Sequence, residues 1–308
     1  MYHYVRDSEG SDAPGINAVR TSDFCRQLDM LGSRFEFVGL DDALAYLRGE
    51  VQVKRPLCCL TFDDGLVEHA GFVTNELAAR GIEGQFFLPT ACIDRSVILP
   101  VHKNHLLMGR LAFDDYRAGV HEFLARNHPE LPVEMDETKV AATYRWDTKP
   151  VASLKYLINY GLPLAVRDAL LTAVFTDVYG DESRYADKFY LSWTAARAMQ
   201  ERGMKIGGHT HRHPVLSRLP DAAQTEELEA CTQRLDSGLG ADPSRPFCYP
   251  YGKAATFNAH TVRELKRLGF NCAFSTEVGH SEPGTDLYSI RRIDPKDIPR
   301  TVEAGASQ

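Results

Sequence analysis

Several features that would place this chain in a common class of protein are missing from its sequence. No apolar run approaches the length needed to cross a bilayer, and the first residues, MYHYVRDSEG, do not combine a basic segment with an apolar one. Lysine and arginine nowhere cluster, and 35 basic against 42 acidic residues give a formal net charge of −7. These absences argue against a transmembrane segment, a nucleic-acid partner and an anionic membrane surface, and they predict a cytoplasmic protein.

Cysteine chemistry is limited as well. The seven cysteines are an odd number and none of them forms a C-x-x-C pair. Cys58 and Cys59 are neighbours on an apolar run with strand character, where consecutive side chains face opposite sides. A disulfide framework and a structural zinc ribbon are therefore both disfavoured, and the sequence indicates buried thiols in a reducing compartment.

What the chain does have is a regular alternation of strand-like and helix-like stretches. Short apolar runs such as YHYV (2–5), FEFV (35–38) and GQFFLP (84–89) are separated by amphipathic segments. This order predicts an α/β fold with a barrel of seven or eight βα units, whose catalytic groups lie where strands end. The alternation stops between about residues 96 and 188, which we interpret as a helical insertion in one domain spanning residues 1–308.

Two carboxylates stand side by side in the segment FDDG, directly after the apolar run PLCCLT. Side chains alternate within a strand, but at its exit the chain turns, so Asp63 and Asp64 can reach one pocket. Taken alone, the pair is better explained as a solvated loop in which an aspartate caps a helix. A site at this point needs further ligands from elsewhere in the chain.

Such ligands are present in the segment GGHTHRHP, residues 207–214. His209 and His213 have a spacing that lets two imidazoles converge on one metal from a strand-to-helix loop, while His211 points elsewhere. Three histidines within five residues make a chance surface loop the less favoured interpretation. One carboxylate and two imidazoles leave coordination positions open, as a catalytic metal needs, and a second carboxylate nearby suits a base.

A third loop, FCYPYG at residues 247–252, follows another apolar run. Proline and glycine on either side of Tyr251 restrict the backbone, so that its main-chain N–H can be held against a developing oxyanion. Considered by itself, the segment is better explained as an ordinary turn whose tyrosines pack against the protein.

Together, TFDDG, HTHRH and YPYG, in that order, resemble the polysaccharide deacetylases with NodB homology, carbohydrate esterase family 4. The lead-in segments MYHYV and FCRQLDMLGSRFEFVGL are most similar to the exopolysaccharide deacetylase branch, and the resemblance covers nearly all the chain except the insertion. It implies a distorted (β/α)7 barrel that removes N- or O-acetyl groups from sugars. It also implies one divalent metal ion, Zn²⁺ first, with Co²⁺, Ni²⁺ or Mn²⁺ as alternatives.

Roles carry over to the matching positions of this chain. Asp63 corresponds to the catalytic base, and Tyr251 to the oxyanion donor through its main-chain N–H. The metal ligands implied by the resemblance are Asp64, His209 and His213. The residues implied to support these groups are Thr210, Pro250 and Gly252.

The chain departs from the family pattern at two places. Where the family has an arginine that holds the catalytic aspartate, this sequence has Cys248. We expect an arginine from elsewhere to replace it: Arg245 is one candidate, and Arg291 or Arg292 on the last strand are preferred.

The general acid is the second departure, because no Leu-x-His pattern follows FNCAFST near the C-terminus. His280 lies in a loop with glycine and proline. His102, with His105 close behind it at the start of the insertion, is the preferred acid. For His102 and His280 alike, a surface histidine is an equally good interpretation.

These observations predict a metal-dependent hydrolase that removes an acetyl group from an N-acetylated sugar in surface-polysaccharide metabolism. Two alternatives stay open: an amide hydrolase of the same fold acting on a non-sugar substrate, and a sugar-binding protein that has lost turnover. The insertion either shapes the sugar pocket or makes a homodimer contact.

Overall fold

The protein is described by a computed structural model that covers residues 1–7, 15–94, 97–131, 135–144 and 146–298. These residues form two compact units. The first comprises the described residues of 1–7, 18–97 and 186–298, and the second those of 15–17 and 98–185. Residues 98–185 of the second unit fall in the part of the chain that the sequence predicts as a helical insertion.

The secondary structure alternates as the apolar pattern predicts. The described strands are β1 (Glu36–Phe37), β2 (Leu57–Cys58), β3 (Leu60–Phe62), β4 (Gly84–Leu88), β5 (Lys205–Gly208), β6 (Pro246–Cys248), β7 (Cys272–Val278) and β8 (Ile290–Arg292). The described α-helices are α1 (Thr21–Arg34), α2 (Leu40–Leu47), α3 (Thr74–Ala79), α4 (Thr90–Ile93), α5 (Pro100–Arg110), α6 (Phe113–Asn127), α7 (Glu137–Thr143), α8 (Lys149–Tyr156), α9 (Leu164–Tyr179), α10 (Ser183–Phe189), α11 (Trp193–Glu201), α12 (Asp221–Leu239) and α13 (Ala259–Arg267).

Strands β3 to β8 form one curled parallel sheet in which neighbours follow chain order. Phe62 lies opposite Phe86 in the β3–β4 pair, and Leu88 lies opposite Gly208 in the β4–β5 pair. Parallel neighbours in chain order require crossover connections, which helices supply from β3 to β7 and a loop supplies between β7 and β8. The predicted α/β barrel class is confirmed, and the carboxyl ends of all six strands lie along one edge.

The N-terminal segment bridges the two edges of this sheet. On one side the Tyr2 N–H donates to the Thr61 carbonyl (2.8 Å) and the Asp63 N–H donates to the Tyr2 carbonyl (2.9 Å). On the other side the Met1 nitrogen donates to the Ile293 carbonyl (2.7 Å), directly after β8. The segment predicted as a strand at residues 2–5 therefore forms only isolated pairings, but it brings the ends of the curled sheet together.

The core of the first unit shows the alternation expected of strands. Phe247 of β6 packs in a cluster with helices α12 and α13, which includes Leu228 and Leu265. Its neighbour Cys248 faces the other way and packs in a cluster with α2, which includes Leu40. The two faces of one short strand thus join different layers of the fold, and the face that bears Cys248 points toward the residues of the site described below.

The described residues of the second unit form helices and no strand. Its helices include α5 and α9, and a buried ion pair supports them: Lys103 Nζ lies 2.8 Å from Glu182 and donates to the Thr172 hydroxyl at 2.9 Å. A buried ammonium is stable only with such partners. None of the helices in the described residues is both long and apolar enough to cross a membrane.

Candidate active site

Three loops that follow strands of the same sheet carry the motif residues. Asp63 and Asp64 follow β3, His209 follows β5, and the YPYG segment at residues 249–252 follows β6. Because these strands are parallel, their carboxyl ends lie on the same edge of the sheet, where (β/α) barrels place their catalytic groups. The topology alone therefore gathers residues that are almost 190 positions apart in the chain.

Backbone strain is concentrated in these same loops. Among the described residues, positive φ outside glycine occurs at Asp64 (77°), Thr210 (64°), His213 (59°) and Tyr251 (61°). The left-handed region is unfavourable for residues with a Cβ, above all for a β-branched residue such as threonine. All four positions belong to the three motif loops, so the fold maintains costly conformations where the predicted site residues lie.

Asp64, His209 and His213 converge on one point. The Asp64 Oδ1 atom lies 3.4 Å from His209 Nε2 and 3.5 Å from His213 Nε2, and the two imidazole centroids are 4.7 Å apart. One ligand atom from each residue lies within 4.8 Å of the other two, and all three side chains are buried. The structure thus brings the three predicted metal ligands together.

Hydrogen bonds from neighbouring backbone orient these ligands. His209 Nδ1 lies 2.6 Å from the Cys248 carbonyl, which can only accept, so Nδ1 carries a proton and Nε2, on the side of Asp64, is the nitrogen that would bind a metal. The His213 N–H donates to the Thr210 hydroxyl at 2.9 Å, which fixes the loop between the two histidines. A carbonyl on the far nitrogen of a ligand histidine is a recurring support for metal binding.

A divalent metal fits this donor set. Two neutral imidazoles and one carboxylate are ligands that Zn²⁺ favours, and three protein ligands leave a position open. A second group, Asp63, His209 and Cys248, is also close enough to hold an ion. It is the poorer choice, because Asp63 is already bound by an arginine and burial raises the pKa of the Cys248 thiol, which keeps it protonated.

Asp63 lies beside the triad as half of a buried ion pair. Its carboxylate is 1% exposed and accepts two hydrogen bonds from Arg292, at 2.8 Å to Oδ1 and 2.7 Å to Oδ2. Burial by itself would raise the pKa of Asp63, but the Arg292 charge and its hydrogen bonds outweigh this and hold the pKa well below the ordinary range. Asp63 is therefore an ionised carboxylate at neutral pH.

Arg292, rather than Arg291, supplies the guanidinium that the sequence lacks at position 248. The two are adjacent on β8, where Arg291 is exposed and Arg292 is buried, as strand alternation requires. Arg245, the other candidate, is bound to Asp236 at 2.5 Å and to the Gly240 carbonyl.

The Cys248 side chain lies between the two partners of this ion pair. Its sulfur accepts from Arg292 Nη2 at 3.0 Å and lies 3.5 Å from Asp63 Oδ2. A small residue on β6 therefore leaves room for the arginine that arrives from β8.

The third loop is fixed from β7. The Thr276 hydroxyl donates to the Tyr251 carbonyl (2.7 Å), and the Thr276 N–H donates to the Gly252 carbonyl (2.8 Å). A Cβ at Gly252 would lie 2.6 Å from Thr276, so only glycine fits there, and Pro250 is buried. The Tyr251 ring centroid is 5.2 Å from that of His213, which places this loop beside the triad. The oxyanion role of the Tyr251 N–H stays a prediction.

His3 is a residue of this region that sequence reasoning missed. Its Nε2 atom lies 3.7 Å from Asp63 Oδ2, and its side chain is 39% exposed, so one imidazole faces both the base and solvent. The sequence contained one indication of this role. The YHYV segment, which includes His3, is predicted as a strand of the barrel, and barrel strands end at the catalytic edge.

The histidines predicted as acids lie elsewhere in the chain. His280 is exposed in the loop before β8. His102 is fully buried on α5 of the second unit, where its ring centroid is 6.2 Å from that of His105. The acid role of His102 stays a prediction.

Comparison with known proteins agrees with this geometry. Residues 163–273 match the family model for polysaccharide deacetylase, a segment that includes the histidine loop and YPYG. The fold is similar to IcaB from Ammonifex degensii (TM-score 0.59, 19% identity, covering 98% of this chain and 93% of that one). It is also similar to the Streptococcus pyogenes deacetylase PplD in complex with acetate (TM-score 0.57, 16% identity, 98% and 96%).

A third similar structure is a de-N-acetylase from Aggregatibacter actinomycetemcomitans (TM-score 0.58, 13% identity, covering 98% of this chain and 97% of that one). No curated protein matches the sequence. At these identities the likeness establishes the fold alone.

Proposed function

We propose that this chain, whose residues 163–273 match the family model for polysaccharide deacetylase, hydrolyses the N-acetyl group of a sugar with one divalent metal ion. The observation that carries the proposal is the placement of an ionised, arginine-bound Asp63 beside the Asp64, His209 and His213 triad. Neighbouring carboxylates in such different surroundings have different tasks: Asp64 binds the metal, and Asp63 takes a proton.

When bound to the triad, a divalent cation supplies Lewis-acid polarisation of the acetyl carbonyl and of the attacking water. Zn²⁺ is the proposed ion because of the two imidazole ligands, with Co²⁺, Ni²⁺ and Mn²⁺ as replacements of similar geometry. Asp63 and Asp64 are adjacent buried carboxylates that repel each other. A cation bound by Asp64 would reduce this repulsion.

The chain's own groups then perform the proton transfers. Asp63 accepts a proton from water as the water oxygen bonds to the acetyl carbon, which gives a tetrahedral oxyanion. The Tyr251 N–H donates to that oxyanion. The C–N bond breaks as the sugar nitrogen receives a proton, and the products are acetate and the free amine.

His3 is proposed as the donor of that last proton. An amine cannot leave as an anion, so the departing nitrogen needs an acid within hydrogen-bond reach. His3 is the candidate, because its Nε2 lies 3.7 Å from Asp63 and its ring reaches solvent, with which it can exchange a proton.

The proposal is tested by acetate release from a panel of acetylated compounds. Zinc-loaded protein is expected to release acetate from oligomers of N-acetylglucosamine faster than from O-acetylated sugars or N-acetylated peptides, and dialysis against a chelator should abolish the release. Asp63→Asn should lower kcat by about 10²- to 10⁴-fold with zinc still bound. Asp42→Asn, on the exposed face of α2, is the matched control. Undiminished release by the chelated protein or by Asp63→Asn contradicts the mechanism.

The same panel tests the substrate class. Faster release from a non-sugar amide would point to an amide hydrolase, and bound zinc without release from any compound would point to a sugar-binding protein. A cytoplasmic location and a precursor substrate in surface-polysaccharide synthesis stay predictions, and cell fractionation would test the first of them.

A further inference from the structure

A buried histidine that takes no part in the proposed metal site contacts the backbone of His3. His69 lies five residues after Asp64, at the start of the helical turn His69–Val73, and is fully buried. Its Nε2 atom lies 2.8 Å from the His3 carbonyl. Its ring lies against the rings of Phe62 (5.7 Å between centroids) and Phe86 (5.6 Å). The motif loop that carries both aspartates therefore also reaches the residue proposed to act as acid.

The direction of this hydrogen bond follows from the surroundings of the ring. A carbonyl can only accept, so the proton of the contact is on His69 Nε2. Burial lowers the pKa of His69, which favours the neutral ring with a single N–H. Among the described residues, Nδ1 has no hydrogen-bond partner. The histidine thus makes one good hydrogen bond and leaves one buried acceptor unsatisfied, so the contact gains little stability overall.

The backbone on either side of His3 is held by other groups. Tyr2 is fixed by its pairing with β3, and the Val5 N–H donates to Glu68 at 3.3 Å. The chain bends at His3, between these two points. In this bend the His69 contact holds the His3 carbonyl and so anchors the backbone from which the imidazole projects.

We propose that His69 is a positioning residue, which holds the His3 carbonyl and thereby aims the His3 imidazole at the space beside Asp63. This inference rests on the proposed function, in which His3 protonates the departing amine. It assigns a catalytic purpose to a buried polar group whose place an apolar ring could fill.

The test compares two acetyl compounds that differ in their leaving group. An N-acetylglucosamine oligomer loses an amine, which needs an acid, whereas 4-nitrophenyl acetate loses a weakly basic phenolate, which does not. His69→Phe, with no donor, is expected to lower kcat for the amide about tenfold or more and to change kcat for the ester less than about twofold. His69→Gln, whose amide can donate to the same carbonyl, is expected to recover most of the amide activity.

Two further variants complete the comparison. His3→Ala should show the same selective loss on the amide, and the double variant with His69→Phe should be no slower than His3→Ala alone, because both changes act through one group. His260→Phe, at a histidine on α13 that contacts Thr225, is the control and should leave both rates unchanged. If His69→Phe does not fold, His69→Met supplies the same test with a flexible side chain that has no donor.

Each outcome decides one of the two ideas. Equal losses on amide and ester, or a double variant much slower than His3→Ala, overturn the positioning role. A selective loss in His3→Ala but not in His69→Phe leaves the acid role and overturns the positioning role. Full amide activity in His3→Ala overturns both.

The hydrogen bond between His69 and the His3 carbonyl can also be tested by NMR, without an activity assay. In ¹⁵N-labelled protein, His69 should be the Nε2–H tautomer with a proton that exchanges slowly with solvent. A protonated Nδ1 or a rapidly exchanging proton contradicts the inference, even if the wild-type protein proves to act on another acetylated substrate.

Discussion

Replacing Arg292 by methionine removes the guanidinium that binds the proposed base, Asp63, and leaves the three proposed metal ligands unchanged. Arg292 is buried and donates five hydrogen bonds: two to Asp63, and one each to the Ser275 carbonyl, the Thr61 hydroxyl and Cys248. Methionine keeps much of the stem but leaves the buried charge of Asp63 without its guanidinium. Removal of one member of a buried ion pair costs about 3–5 kcal/mol, so the free energy of unfolding at neutral pH should fall by that amount.

The destabilisation caused by Arg292→Met should depend on pH, because it depends on the ionisation of Asp63. In the wild type, Arg292 holds the pKa of Asp63 below its ordinary value, so the pair stabilises the fold above pH of about 4 and this contribution is lost as the pH falls through the lower folded pKa. Without Arg292, burial dominates and raises the pKa of Asp63 above the ordinary value. The difference in unfolding free energy between variant and wild type should therefore be largest near neutral pH and shrink toward acid.

Activity should respond in the same direction. The base of the variant is protonated over part of the range in which the wild type is ionised, so the acid limb of kcat/KM should move to higher pH. On that limb kcat/KM falls about tenfold per pH unit. Urea unfolding and kcat/KM, each measured from pH 5 to pH 8.5, test both effects.

Arg291→Met is the matched control, because Arg291 is the exposed neighbour on the same strand. Its unfolding free energy should change by no more than about 0.5 kcal/mol. An unmoved acid limb in Arg292→Met, or a larger loss of activity in Arg291→Met, would refute the reasoning.

Other predictions concern the metal. Wild-type protein should bind one zinc ion per chain by elemental analysis, and Asp64→Asn and His213→Ala should bind much less while they stay folded by circular dichroism; full zinc content in either variant would contradict the ligand set. Thr210→Val removes the acceptor of the His213 N–H and keeps a β-branched residue at a positive φ, so zinc affinity by competition with a chelating dye should fall about 10- to 100-fold. Thr210→Ser should keep wild-type affinity, and equal losses in both variants would show that the hydroxyl is not responsible.

Sequence reasoning located the parts of the site that lie close together in the chain. Asp63 and Asp64 are adjacent, and His209 and His213 share one loop, so the pattern of residues reflects their geometry directly. The barrel class could likewise be predicted, because the apolar runs that form β4 to β7 alternate with amphipathic helices in the order that a parallel sheet requires.

The residues of the site that could not be predicted from the sequence are positioned by the curl of the sheet. Arg292 lies 229 positions from Asp63, and the choice between it and Arg291 depends on which face of a three-residue strand turns inward. His3 reaches the same carboxylate only because the N-terminal segment lies between β3 and the end of β8. Neither relation leaves a local pattern in the sequence, since each is set by backbone pairing between distant segments.

The link between Asp63 and Arg292 also has a consequence for biosynthesis. A chain emerging from the ribosome displays the aspartates and the histidine loop long before β8 is made, and until then Asp63 has no guanidinium beside it. Burial of that carboxylate would be unfavourable during this time, so we expect the loop that carries it to stay exposed to solvent in nascent chains. The protein should therefore acquire its hydrolytic activity only in the last stage of translation, and fragments that end before β8 should be inactive.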